Sequence, residues 1–361
     1  MEYVQEQVAT LHDLTGQVPD APTDRAAVVV PMTDREYAGL APERTLETLE
    51  RVDPARVIVP LRAPADRVGA FAEWLSGFDL PLTPLWCNAP AVEDLLADRG
   101  IEGPAGKGRD VWLGLGLAAR EEFVALHDAD VKSYDAAHVP RLVAPLAEFD
   151  FSKGYYARVE NDRLYGRLFR LFYEPLVAAL GERHPEPILE YLGAFRYALA
   201  GEMGFTSRVA REVRPEPAWG LETGLLGEAF GAAGFSGTVQ VDLGVHEHDH
   251  RAVSGETGLV GMSGHVASAL FRALADRGIV PEFDTLPERY REVAERFLAG
   301  YAADAAFNGL AYDREEERSQ VDAYAEAIAP AEGDDRLPAW AGVDLAPGAV
   351  ADASERALDA L

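Results

Sequence analysis

Three short β-branched runs constrain this chain more than any other feature. AAVVVP (26–31), ARVIVPL (55–61) and EFVALHDAD (122–130) are strand-length apolar segments bounded by turn-forming residues. Between the first two and after the second, residues 43–52 and 65–76 carry leucine, valine and phenylalanine at three- and four-residue spacings, the period of an amphipathic helix. Strands alternating with helices predict βαβ units, a mostly parallel sheet and an α/β fold. Ligands on such sheets bind beyond the carboxyl ends of the strands. The third run ends there in His127-Asp128-Ala129-Asp130, so two carboxylates stand where chemistry is expected.

At 361 residues the chain can hold one large domain or two smaller ones. The composition divides it into 1–150, 151–330 and 331–361. After about residue 150 the pattern becomes more helical. DRLYGRLFRLFYEPLVAAL (162–180) is amphipathic, and TLPERYREVAERFLAGY (285–301) opens with Thr285 and Glu288 in capping-box spacing. Tyr290, Val293, Ala294, Phe297, Leu298 and Tyr301 share one face of that second helix and are assigned to the core. Residues 331–361 are acidic and rich in Pro, Gly and Ala, which predicts a loosely packed tail with a short final helix.

Charge narrows the partners. Sixty-one acidic residues against 33 basic ones give a net charge of −28. Such a field repels nucleic acid and anionic lipid, so neither is expected as a partner. No stretch approaches the ~20 apolar residues of a transmembrane helix, and the acidic start MEYVQEQVATLHDLTG lacks the pattern of a signal peptide. A cytoplasmic location is expected. The single Cys87 excludes an intramolecular disulfide and a Cys-rich zinc site. The acidic excess is spread along the whole chain, which suits a halophilic protein in a cytoplasm of molar salt, where the Debye length is about 3 Å. Only three basic residues are lysines: Lys107, Lys132 and Lys153. On so acidic a background each is either a residue serving a bound anion or a stray surface lysine.

Three constellations can carry chemistry. Asp128 and Asp130, two apart in extended geometry, point to one side and can act as hard oxygen ligands for Mg2+ or Mn2+; an Asp at a strand end is equally ordinary turn chemistry. EGPAGKGRDVW (102–112) surrounds Lys107 with Gly103, Gly106 and Gly108, which reads as a phosphate-approaching loop or as a mobile turn. It is not a Walker A loop, since no Ser or Thr follows the lysine. The nearby GLGLA (114–118) does not follow a predicted strand and carries little weight as a dinucleotide fingerprint. Finally, TVQVDLGVHEHDHR (238–251) places Val239, Val241, Leu243 and Val245 on one strand face. Gln240, Asp242, His246, His248 and His250 fall on the other, provided Gly244 leaves the register intact. A histidine there is a metal ligand or a solvated polar-face residue.

Taken in order, these segments resemble retaining glycosyltransferases of the GT-A fold, specifically the glucosyl-3-phosphoglycerate synthase and mannosylglycerate/mannosyl-3-phosphoglycerate synthase group. The resemblance runs from VVVP (28–31) through GKG (106–108), DAD (128–130), FSKGYYARV (151–159) and YGRLFRLFYEPL (165–176). It continues with LAGE (199–202), WGLETGLL (219–226) and VDLGVHEH (241–248). It implies a Rossmann-like, mostly parallel central sheet with a more helical C-terminal acceptor region. Residues 1–150 would be the nucleotide-sugar-binding half, 151–330 the acceptor-binding and helical region, and 331–361 the acidic tail. The implied metal ligands are Asp130 and His248, with Asp128 beside them, for Mg2+ or Mn2+. His246 is left as a polar-face residue. The implied donor site comprises Pro31, Met32 and Thr33 at the base, Lys107 and Asp128 at the diphosphate, and Gly201 and Glu202 at the sugar. Glu202 and Glu222 would flank the reacting sugar as catalytic groups, without a covalent nucleophile, by same-face attack within an ion-pair-like state. Gly166 and Arg167 would meet the acceptor, with Arg170 as a further cation.

The departures fall on the acceptor and base sides. The family's G-R-V-T reads Gly166-Arg167-Leu168-Phe169 here, and its asparagine two residues past the metal histidine reads His250. The family's base-binding P-A-L-N-E-E reads PMTDREY, and its D-S-G-S-like segment is replaced by PLRAPADR. The resemblance thus implies a metal-dependent retaining hexosyltransferase using UDP-glucose or GDP-mannose and a small polar acceptor such as glycerate or 3-phosphoglycerate. The product would be a glyceric-acid compatible solute, and relatives imply a homodimer. The alternatives are a sugar nucleotidyltransferase on the same sheet, or a degenerate domain that binds a nucleotide sugar without turnover.

Overall fold

The computed structural model describes residues 6–101, 103–247 and 258–361. The described strands are β1 (Ala9–Leu11), β2 (Ala26–Val29), β3 (Met32–Thr33), β4 (Arg56–Arg62), β5 (Leu82–Trp86), β6 (Phe123–Leu126), β7 (Phe151–Ala157), β8 (Val159–Glu160), β9 (Arg163–Leu164), β10 (Met203–Thr206) and β11 (Thr238–Val245). Nine of them form one sheet in the order β1–β11–β7–β10–β6–β2–β4, with β5 on the other edge of β4 and β3 continuing along β4 beyond β2. Every pairing in this sheet is parallel except those of β10, which runs antiparallel to both β6 and β7. The expected α/β fold with a mostly parallel sheet is what forms, and the sheet runs unbroken across residue 150.

The β-branched runs become central strands because their residues are covered on both faces. All four residues of β2 and all four of β6 are buried, as parallel strands between helical layers require. The helix Lys107–Ala118 packs on β2 and β4. Its GLGLA stretch is a packing feature: a Cβ on Gly114 would come within 2.7 Å of Pro60 Cγ and 2.9 Å of Val29 Cγ1. The antiparallel register of β10 has a second consequence. Met203 pairs with Leu126, so the residues entering β10, Gly201 and Glu202, lie beside those leaving β6, His127 and Asp128.

Four local expectations are corrected. First, the register of β11 does not survive Gly244. That glycine adopts φ +79° and the pairing with β7 shifts between Asp242 and Val245. One extra residue in a strand exchanges its two faces. Val245, expected inside, is 57% exposed, and His246, expected on the polar face, is fully buried. Second, the amphipathic segment 162–180 is not one helix: it opens as β9, turns at Gly166 (φ +74°), and becomes helical from Leu168 through a π-helical stretch into Glu174–Gly181. Third, the helix Leu286–Asn308 starts after Thr285, yet no capping-box bond forms; the Thr285 hydroxyl donates to Glu282 O at 3.3 Å. Its core face is as expected, with Tyr290, Val293, Ala294 and Leu298 buried and Phe297 and Tyr301 half-buried.

The fourth correction concerns the C-terminus. Far from being loosely packed, it closes the core. Trp340 stacks on Trp112 with ring centroids 4.3 Å apart, its Nε1 donates to Trp112 O at 2.7 Å, and Trp112 Nε1 donates to Pro338 O at 2.8 Å. The helix Pro347–Asp359 then packs on Pro90–Ala97, and Trp86 N donates to Ser354 Oγ at 2.7 Å. Gly116 makes the slot for the indole, since a Cβ there would lie 2.3 Å from the Trp340 ring. Removing so large a buried ring leaves a cavity that the surroundings fill only in part. Trp340→Ala should therefore lower the unfolding free energy by about 3–5 kcal/mol in urea titrations. Gly116→Ala should be destabilising as well; wild-type stability in both would separate the C-terminal segment from the core.

Candidate functional site

A cavity of about 740 Å³ opens beyond the carboxyl ends of β6 and β7. Its walls include Lys107, Asp128, Asp130 and Glu222, together with Arg158, Arg163 and Arg167. Lys107 is the first residue of its helix, and the glycines around it serve close packing. A Cβ on Gly106 would sit 2.5 Å from Pro217 O, and one on Gly108 would sit 1.7 Å from Glu216 O. Without side chains at these two positions, the start of the helix can abut the 216–218 segment, where Arg109 N donates to Pro217 O at 3.1 Å. That contact delivers Lys107 to the two carboxylates it bridges: Asp128 Oδ1 at 2.7 Å and Glu222 Oε1 at 3.0 Å. Burial disfavours the ammonium, but Asp128 and Glu222 outweigh it and hold the lysine charged.

Gly201 sits directly against Asp128. A Cβ there would lie 2.4 Å from Asp128 Oδ2, so only glycine leaves the carboxylate in place. Asp130 shares the same wall. Its carboxyl is pushed up to about 6 by burial and then by the neighbouring charge of Asp128, with Lys107 opposing. Two carboxylates that destabilise one another's charge, facing an open cavity, are a donor set that a hard divalent cation satisfies. The residues present therefore fit Mg2+ or Mn2+. His248, the further expected ligand, and His250, the expected acceptor contact, lie outside the described residues.

Behind this wall lie two buried ionisable groups. Glu202 is fully buried and neither carboxylate oxygen has a hydrogen-bond partner among the described residues. Lys153, on β7, is 1% exposed and donates its Nζ to Ala200 O. Burial raises the Glu202 carboxyl to about 8 and lowers the Lys153 ammonium to about 8. Glu202 thus lies behind the cavity wall, whereas Glu222 forms part of it. Two of the three lysines are drawn to this site, and Lys132 is exposed two residues beyond Asp130.

The acceptor-side expectations divide. Gly166 and Arg167 line the cavity, and Arg167 Nη1 pairs with Glu316 Oε1 at 2.8 Å. Arg170 is not available: it is buried against Glu317, with Nη2–Oε1 at 2.7 Å and Nη1–Oε2 at 3.2 Å. Phe169, which replaces the family's threonine, turns into the core against Tyr173 and Tyr197. Pro31, Met32 and Thr33 are not on the cavity wall. Met32 is buried in β3, and Thr33 N and Oγ1 both donate to Glu36 Oε2 at 2.7 Å.

Several residues were missed by sequence reasoning. Tyr156, Arg158, Tyr197, Trp219 and the 312–317 segment all reach the cavity. His246 packs edge-on to Tyr156, ring centroids 3.8 Å apart, and its Nε2 is 3.3 Å from His138 Nε2, while His138 Nδ1 meets Asp135 Oδ1 at 3.0 Å. The one local signal was the absence of alternation in FSKGYY, all buried in β7. Gly201→Ala should weaken Mn2+ binding by about tenfold or more in calorimetry while leaving the melting temperature nearly unchanged, as for other residues that orient a ligand. Wild-type affinity would mean that Asp128 does not serve the metal.

No protein-family model matches the chain. It is 33% identical to the glucosyl-3-phosphoglycerate synthase of Methanococcoides burtonii, over 93% of this chain and 90% of that protein. It is also 33% identical to that of Persephonella marina, over 92% and 89%. Among solved structures it is similar to the glucosyl-3-phosphoglycerate synthase of Mycobacterium tuberculosis in complex with Mn2+, UDP-glucose and phosphoglyceric acid, at TM-score 0.56 and 22% identity, covering 76% of this chain and 89% of that one. The mannosyl-3-phosphoglycerate synthase of Rubrobacter xylanophilus is similar at TM-score 0.58 and 21% identity, covering 76% and 83%. On 33% identity over nine-tenths of the chain, with the fold in agreement, this protein belongs to the glucosyl-3-phosphoglycerate synthase family of GT-A-fold glycosyltransferases.

Proposed function

We propose that this enzyme moves glucose, with retention, from UDP-glucose to 3-phosphoglycerate. The observation that carries the reading is a single cavity lined both by a D-x-D carboxylate pair with a charged lysine and by three arginines. The first set suits a metal-bound nucleotide diphosphate and the second an anionic acceptor. The full-length relatives at 33% identity are named for glucosyl transfer, which favours UDP-glucose over GDP-mannose.

In this scheme Asp128 and Asp130, with His248, would hold the divalent cation, which would supply positive charge to offset the negative charge developing on the leaving diphosphate. Lys107 supplies a second, fixed positive charge at the same place. Pro31–Thr33 lead toward the base, and Glu222 faces the sugar, with Gly201 and Glu202 behind it. Glu222 is held by Lys107 at 3.0 Å and Glu202 lies behind the wall. Neither is poised as a nucleophile, which supports attack by the acceptor on the face that the leaving group departs from. The protein's contribution is then to align donor and acceptor. Residues 1–150 serve the donor, 151–330 the acceptor, and 331–361 pack beneath the donor half. We further infer a homodimer in a saline cytoplasm; no helix among the described residues is long and apolar enough to cross a membrane.

The test is an assay of UDP-glucose and GDP-mannose against 3-phosphoglycerate and glycerate, with Mn2+ or Mg2+, in molar KCl. Transfer from UDP-glucose to 3-phosphoglycerate is expected, with an α-linked product by NMR and loss of turnover in EDTA or in Asp130→Ala. Pyrophosphate release from a nucleoside triphosphate and a sugar phosphate would instead identify a nucleotidyltransferase. The melting temperature should rise between low and molar KCl, because screening removes the self-repulsion of a −28 chain; a flat salt dependence would remove the case for a saline cytoplasm.

A further inference from the structure

We propose that Arg158, with the Tyr197 hydroxyl and Arg163, forms a second anion subsite on the cavity wall, separate from Arg167. It takes one anionic group of a small doubly anionic acceptor, a phosphorylated hydroxy acid, while Arg167 takes the other. This rests on the glycosyl-transfer reading above.

In a chain with 61 carboxylates, arginines find partners easily, and those around this site mostly do. Arg167 pairs with Glu316 and Arg170 with Glu317. Arg158 and Arg163 line the same cavity, yet neither has an ion-pair partner among the described residues. Arg158 is half-buried. Its Nη1 donates to the Tyr197 hydroxyl at 3.2 Å, and its Nε is buried with no hydrogen-bond partner among the described residues. Glu160 acts on it only at longer range. A guanidinium taken partly out of water, with a donor left unsatisfied, is unfavourable unless an anion completes it.

The surroundings hold this group in place. Tyr197 is 9% exposed and lies under Gly166, where a Cβ would be 3.0 Å from its hydroxyl oxygen. Because that oxygen accepts from Arg158, its proton remains to donate toward the cavity. The β8–β9 hairpin turns through Asn161 (φ 49°) and Asp162 (φ 55°), both left-handed as a two-residue hairpin turn demands. It is tied back by Tyr165 N donating to Arg158 O at 2.9 Å, and to the facing segment by Ala311 N donating to Asp162 O at 2.7 Å. Arg163 is thereby set on the same wall.

The acidic residues opposite do not compete for these cations. Glu317 is engaged by Arg170 and Glu316 by Arg167, and Asp313 caps the helix Arg314–Ala325 by accepting from Glu315 N and Glu316 N at 3.1 and 3.0 Å. The subsite also explains how the chain manages where Phe169 has taken the family threonine's place. A bidentate guanidinium holds a phosphate or carboxylate more strongly than a hydroxyl does.

Arg158→Met, Arg158→Lys and Tyr197→Phe test the assignment, with Mn2+-dependent UDP affinity as the control. Arg158→Met should raise KM for 3-phosphoglycerate by about 10- to 100-fold, with UDP affinity within about twofold of wild type. It should also abolish the preference for 3-phosphoglycerate over the mono-anionic glycerate. Arg158→Lys should restore part of the loss, and Tyr197→Phe should show a smaller loss of the same kind; these two decide the matter if Arg158→Met does not fold. Unchanged acceptor KM and preference in the folded variants would overturn the subsite. If the wild type transfers to neither acceptor, the functional reading fails by itself. The subsite is then judged by calorimetry of 3-phosphoglycerate into the UDP–Mn2+ complex: binding lost in Arg158→Met supports it, and no binding by the wild type, or equal binding by both, overturns it.

Discussion

The structure is organised around one half-buried ammonium. Lys107 lies between Asp128 and Glu222, at 2.7 and 3.0 Å, and those three residues come from a helix start, a strand end and a second helix start. In a chain of net charge −28, carboxylates can be gathered at a half-buried wall only if a cation is gathered with them. Glycines decide whether the three segments can approach. Gly106 and Gly108 admit the backbone of 216–218, and Gly201 admits the Asp128 side chain. The chemistry of the cavity therefore depends on backbone contacts that any Cβ would prevent.

The same economy appears in the sheet. Among the described strands of the large sheet β10 alone runs antiparallel to its neighbours, and its register carries Gly201 and Glu202 to the end of β6. A bulge at Gly244 does comparable work at the end of β11, exchanging Val245 for His246 on the inner face. His246 then joins His138 and Tyr156 in a packed polar–aromatic cluster beside the cavity. The arginine-bearing wall is built from more distant pieces. The β8–β9 hairpin and the 310–317 segment meet through Ala311 and Asp162, and together enclose the arginines.

Much of this was legible in advance. The three β-branched runs became β2, β4 and β6, because continuous apolar runs of that length can only be buried on both faces. Lys107, Asp128, Asp130 and Glu222 were all named from the sequence and meet on one wall. What misled was local chemistry whose outcome depends on neighbours. Thr285 has capping-box spacing but bonds to Glu282 instead. Arg170 looks like an anion ligand until Glu317, 147 residues away, claims it. The Pro- and Gly-rich C-terminus looks loosely packed until Trp340 meets Trp112.

The sequence by itself determined the strand–helix alternation, the mostly parallel sheet and the residue types at the wall formed by Lys107, Asp128, Asp130 and Glu222. The first two follow from periodicity, and the last from the order of motifs that carries the family resemblance. Only the tertiary structure decided which face His246 occupies, that Phe169 belongs to the core, and that Arg158 stands on the cavity wall beside Tyr197. The reason is physical. Register, ion pairing and exposure are set by partners brought close in space, and nothing in a residue's own neighbourhood along the chain names them.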